Sequence, residues 1–103
     1  MANSYKTDII AVATTGSDVD FFTSPTGGCI VRDVMIYAKT ASTTVSVLYD
    51  DRTDDAQIAT ETSMASGDTW RPFATPIGMQ PTHKLSVNTN EAVNVLITYV
   101  EFD

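Results

Sequence analysis

The sequence predicts an all-β chain, a single antiparallel β-sandwich or jelly roll of about seven or eight short strands. Three observations carry this expectation. Apolar side chains recur at every second position in several segments, threonine and valine stand where a helix would favour alanine, leucine and glutamate, and turn signals interrupt the chain at short intervals. No window of helical length carries an apolar stripe at i, i+3, i+4 and i+7, so helix content is expected to be small.

The elements follow in order. The run 5–13 and the short segment Val19-Asp20-Phe21-Phe22 are expected as the first two strands, separated by Thr14-Thr15-Gly16-Ser17. After the turn signal Pro25-Thr26-Gly27-Gly28, the stretch 29–39 supplies Ile30, Val31, Val34, Met35, Ile36 and Tyr37, a β-branched and aromatic content that suits a pleated strand. Ala41-Ser42 then leads to Val45, Val47 and Tyr49 with Thr44, Ser46 and Asp50 opposite, and these two strands are expected to form a hairpin. Further strands are expected at 57–62 and 70–74, on either side of Ala65-Ser66-Gly67-Asp68.

The C-terminal part has the clearest pattern. Leu85 and Val87 alternate with Ser86 and Asn88, and Asn88-Thr89-Asn90-Glu91 reads as the turn of a C-terminal hairpin. In the strand that follows, Val93, Val95, Ile97 and Tyr99 share one face, and Asn94, Leu96, Thr98 and Val100 the other. Because the second face is part apolar, this strand is expected to be central in its sheet or covered on both sides.

A chain of 103 residues suits one domain, 1–103, with one core. Folding at this size removes roughly 60 to 70% of the unfolded surface from water, enough for stability without a metal or a disulfide. Thirteen acidic against six basic side chains give a net charge of −7, which opposes direct nucleic-acid binding. The single cysteine, Cys29, excludes an intramolecular disulfide. The opening lacks a basic segment followed by an apolar one, and no apolar run approaches the roughly 20 residues that span a bilayer. Neither a signal peptide nor a membrane span is expected, and cytoplasmic synthesis fits.

No catalytic residue and no cofactor is expected. His83 is the one histidine, so sites built on two imidazoles are excluded, and Gly-x-Ser-x-Gly is absent. Cys29 stands beside Gly27-Gly28 at the start of a strand, which reads as a small buried hydrophobe. The acidic run with Asp50, Asp51, Asp54 and Asp55 is the most metal-like feature, since calcium takes oxygen ligands from loops. It lacks the glycine and the terminal glutamate of an EF-hand, and Asp is a common turn residue, so a solvated turn is favoured. Trp70, Arg71, Pro72, Phe73, Pro76 and Met79 form the least regular stretch. Two readings stand there side by side: core anchoring by the aromatics, or a contact surface for a partner.

Read end to end, the chain resembles the small accessory structural proteins of tailed-bacteriophage virions. The residues that carry the resemblance are the opening Met-Ala-Asn-Ser-Tyr-Lys, the segment Val19-Asp20-Phe21-Phe22-Thr23-Ser24-Pro25-Thr26-Gly27-Gly28 before the strand 29–39, the strand 45–49, Leu85-Ser86-Val87-Asn88, and the closing Val93-Asn94-Val95-Leu96-Ile97-Thr98-Tyr99-Val100-Glu101. The resemblance implies a virion β-sandwich, foremost a capsid decoration (cement) protein that binds and stabilises the head shell. Its implied partners are the major capsid protein or other virion proteins, together with copies of itself in a homo-oligomer such as a trimer. A head-tail adaptor, a tail or fibre component, and a carbohydrate- or receptor-binding module are the alternatives. For the carbohydrate reading, Trp70, Tyr37 and Tyr49 are the candidate aromatics.

Overall fold

The computed structural model describes residues 3–13, 15–39 and 43–102, leaving aside the side chains of residues 62 and 63. Met1 and Ala2 of the opening and the expected turn residues Thr14, Ala41 and Ser42 lie outside the described residues, as does the side chain of Thr62. The described residues form nine strands: β1 (Ser4–Val12), β2 (Asp18–Thr23), β3 (Cys29–Ala38), β4 (Thr43–Asp50), β5 (Asp55–Met64), β6 (Thr69–Trp70), β7 (Ile77–Met79), β8 (Lys84–Thr89) and β9 (Val93–Glu101). One antiparallel sheet runs β1-β9-β3-β6, with β7 also paired to β3, and the other runs β2-β8-β4-β5.

β6 and β7 are two pieces of one interrupted edge strand. Thr69 and Trp70 pair with Tyr37 and Ile36, and pairing resumes on the same strand where Ile77, Gly78 and Met79 meet Val31, Ile30 and Cys29. Between the pieces stand Pro72 and Pro76, which offer no N–H to a ladder. The strand expected at 70–74 therefore stops after Trp70, and β7 lies where no strand was expected. With the pieces joined, the pairing is that of a jelly roll: the first strand meets the last, the second the next to last, and so inward, with the pairs shared between two sheets.

This topology corrects both hairpins read from the sequence. β3 and β4 lie in different sheets, and so do β8 and β9; the sequential strands that pair are β4 and β5. Turn residues mark where the chain reverses but not whether it returns beside itself or crosses to the facing sheet. Each of these strands has an apolar face that either arrangement would bury, so alternation could not decide between them. Asn90 fixes the crossing after β8: its Oδ1 accepts the Thr43 hydroxyl at 2.7 Å and the Thr44 N–H at 2.8 Å, tying the connection to the start of β4.

Bulges explain where the period-two pattern slips. The register of β2 against β8 shifts between Asp20 and Phe22, which lets the adjacent Phe21 and Phe22 both turn inward, and Phe22 stacks on Tyr99 with ring centroids 4.7 Å apart. A second shift, between Val31 and Asp33 of β3, moves the inward set from Cys29 and Val31 to Val34, Ile36 and Ala38. At the turn before β3, Gly28 adopts φ +79°, and a Cβ there would meet the Met79 carbonyl oxygen at 3.0 Å, so glycine is required.

The core fills the space between the sheets. Val31, Val34, Ile36, Val93, Val95 and Ile97 of the first sheet and Val45, Val47, Leu85 and Val87 of the second are all fully buried in one cluster. Each such side chain contributes roughly 1.5 to 3 kcal/mol on burial.

Candidate functional site

The two outward faces of the sandwich differ in chemistry. On the second sheet the face is mostly polar, Leu48 apart, and internally bonded: Asn88 donates to Asp18 at 2.9 Å, Ser86 donates to Asp20 at 2.5 Å, and Lys84 pairs with Asp20 at 3.3 Å. On the first sheet the register lays apolar residues across three strands. Tyr5 of β1 stands opposite Val100 of β9, itself opposite Ile30 of β3, and in a second row Ile9 faces Leu96, which faces Met35. Thr7, Thr98 and Asp33 separate these rows, while Ala11, Asn94 and Tyr37 continue beyond them.

Water reaches much of this surface. Tyr5 is 71% and Ile9 74% exposed. A shallow groove of about 220 Å³ runs over Ile9, Met35, Tyr37, Asn94, Val95 and Leu96. Its rim carries charge, with Arg32 donating to the Tyr5 hydroxyl at 3.3 Å and Arg71 paired with Asp33 at 3.0 Å. An antiparallel sheet with one free face normally turns polar residues outward, so two apolar rows laid across three strands, though parted by a polar row, make this face the candidate contact surface. The part-apolar second face of the strand 93–100 was the sequence signal for it. Tyr5 and Ile9 gave none, because an alternating strand does not reveal which of its faces meets the core.

The irregular stretch from Trp70 to Met79 divides between core and surface. Met79 is fully buried, and Trp70, Phe73 and Ile77 pack partly buried against the core. Arg71 and Pro76 are exposed, and Pro72 is half-buried. The aromatics thus serve at least in part as core anchors, while Arg71 and Pro76 stand in solvent. The three aromatics proposed for a sugar are likewise separated: Tyr37 stands on the outer face, Trp70 pairs at Ile36 and packs inward, and Tyr49 lies half-buried in the second sheet.

The acidic run forms the tight turn between β4 and β5. Asp50 Oδ1 accepts the Arg52 N–H at 2.7 Å, and Asp51 Oδ1 accepts those of Thr53 and Asp54 at 3.0 and 2.8 Å. These bonds suit the left-handed Arg52, φ +76°. Those from Asp54 and Thr53 also hold the Asp51 carboxyl below its ordinary pKa. Among the described residues no three His, Cys, Asp or Glu side chains are grouped to hold a metal ion.

His83 and Cys29 occupy structural positions. The Tyr49 hydroxyl lies 2.7 Å from His83 Nδ1, with the rings edge to face at 5.5 Å. Burial raises the Tyr49 pKa, so the phenol stays protonated at neutral pH and can donate. Tyr49→Phe removes this bond between partly buried groups and should cost about 1 kcal/mol of stability, measured by urea unfolding. The Cys29 thiol sits 3.5 Å from Ser24 Oγ, and burial pushes its pKa up, the opposite of what a thiolate nucleophile needs.

Asp20 predicts an acid dependence. The Ser86 hydrogen bond first, and then Lys84, hold its carboxyl below the ordinary value of 3.8. A depressed folded-state pKa contributes stability that is present above the unfolded value and lost as pH falls through the folded one. The melting temperature should therefore fall below about pH 4, and Ser86→Ala should flatten that fall in a thermal titration.

No protein-family model matches the chain, and no curated protein does.

Proposed function

We propose that the chain is a non-enzymatic structural protein of a tailed-bacteriophage virion, a decoration protein that docks on the capsid shell through the outer face of the first sheet. The observation that carries this reading is the contrast between the two outward faces, one mostly polar and bonded within itself, the other crossed by two apolar rows over β1, β9 and β3. The sequence resemblance described above supplies the setting, and jelly rolls recur in viral shells. Docking would remove Tyr5, Ile9, Met35, Leu96 and Val100 from water at roughly 25 cal/mol per Å² of apolar area. Repetition over a lattice multiplies a modest contact into reinforcement of the shell.

The test is a cryo-electron-microscopy map of the particle that carries this chain, with its copy number counted against the major shell protein. Comparable numbers, with density on the outer shell and the first sheet facing it, are the expected result. A few copies at one vertex would transfer the chain to the neck or tail, and absence from the particle would end the virion reading.

A further inference from the structure

A jelly roll of two open sheets has four edge strands, and three of them here are irregular. β2 carries a bulge against β8, β5 pairs with β4 through two register shifts, and the edge formed by β6 and β7 is broken around its prolines. Bulges, prolines and charged side chains are the usual means by which an edge is kept from pairing with another chain. β1 has neither bulge nor proline, matching β9 without a shift from Ser4 to Val12 with its residues 5–9 exposed, and its two charges, Lys6 and Asp8, are of opposite sign, so they repel a second copy only in the wrong register.

We propose that two copies of this chain pair antiparallel through the free edges of β1, in the register that sets Thr7 opposite Thr7 of the second copy. The sequence Tyr5-Lys6-Thr7-Asp8-Ile9 is chemically self-complementary about its centre. In that register Lys6 faces Asp8 of the second copy and Asp8 faces its Lys6, while on the other side of the ribbon Tyr5 and Ile9 face Ile9 and Tyr5. Opposite charges and aromatic–aliphatic pairs directly across two strands are both favourable. A slip of two residues either way sets Lys6 against Lys6 or Asp8 against Asp8, and a slip of one exchanges the faces of the strand. The two-fold symmetry closes the assembly at a dimer.

The charged groups around the seam are compatible with this pairing. Lys6 is half-exposed and reaches Glu101 only at 3.9 Å, and Asp8 accepts the Tyr99 hydroxyl at 3.3 Å while remaining exposed. Pairing would join the two first sheets into one and place Tyr5 and Ile9 of each copy side by side, extending the apolar face. The inference rests on the edge and its charges, independently of what that face binds.

Sedimentation velocity of the full chain over two decades of micromolar concentration should show a monomer–dimer equilibrium. Lys6→Asp replaces attraction with repulsion at both symmetric contacts and should weaken the dimer by about tenfold or more. The exchange Lys6→Asp with Asp8→Lys should restore it, which only this register allows. Thr7→Cys, which leaves both charges in place, should form a disulfide-linked dimer under mild oxidation. A monomer at every concentration, a trimer, a dimer indifferent to Lys6→Asp, or a Thr7→Cys protein that does not cross-link would each overturn the proposal.

Discussion

Truncating Ile97 to alanine should cost the fold about 4 kcal/mol, the largest stability loss expected of a single side chain here. Ile97 lies fully buried near the middle of β9, with Asp8 of β1 on one side and Val34 of β3 on the other. Its side chain belongs to the cluster that includes Val45, Val47, Leu85 and Val87 of the facing sheet. Because β9 is hydrogen-bonded on both sides, the backbone cannot collapse into the space left behind. The cavity penalty therefore adds to the lost transfer energy. A domain of this size has only about 5 to 15 kcal/mol in total, so the variant should sit near the margin of folding. Urea unfolding should show a lower midpoint at an unchanged slope, with Ile97→Val costing only about 1 kcal/mol. Ile58→Ala on β5 is the control: Ile58 is 43% exposed, and its loss should stay within about 0.5 kcal/mol. Equal losses at the two positions would mean that the core does not lie between these sheets.

The sequence disclosed the strands better than their arrangement. Alternation located β8 and β9 closely, because Leu85, Val87, Val93, Val95, Ile97 and Tyr99 all face the same core and nothing interrupts their period. In β2 and β3 the bulges invert the phase, so Phe21 beside Phe22 and Val31 before Val34 look irregular until the register is known. The pairing of β1 with β9 joins the two ends of the chain, and no local signal reports a contact at that separation. The candidate site was hidden for a related reason. Ile9 and Ile10 are alike as side chains, yet Ile10 packs against the core while Ile9 faces water, and only the strand's place in its sheet makes that choice. Trp70 and Phe73 pack partly buried against the core, one of the two roles their sequence allowed, since large aromatics anchor cores as readily as interfaces.

On the proposed docking, Met35→Glu should leave the fold intact and weaken attachment to the shell. Met35 is half-buried on the outer face of β3, in a row with Leu96 and Ile9, and lines the groove without belonging to the core cluster. Water already reaches this side chain, so the carboxylate stays solvated in the free protein and the stability change should not exceed about 1 kcal/mol. In a docked complex the same carboxylate would be carried into an apolar contact. With no cation guaranteed opposite, it would have to be desolvated unpaired or the surfaces would have to part. A central apolar anchor of an interface is worth about 2 to 3 kcal/mol on truncation, and a buried charge adds to that, so affinity for the shell should fall by roughly a hundredfold. Binding of the purified protein to particles stripped of it, followed by co-sedimentation, measures this directly. Asn88→Asp on the opposite sheet alters charge equally but should leave attachment unchanged, since that face is already polar. Met35 also stands two strands from the free edge of β1, so self-association should survive the substitution, and the two uses of the first sheet can be separated by experiment. Retained attachment with Met35→Glu, or its loss with Asn88→Asp, would place the docking surface on the other side of the sandwich.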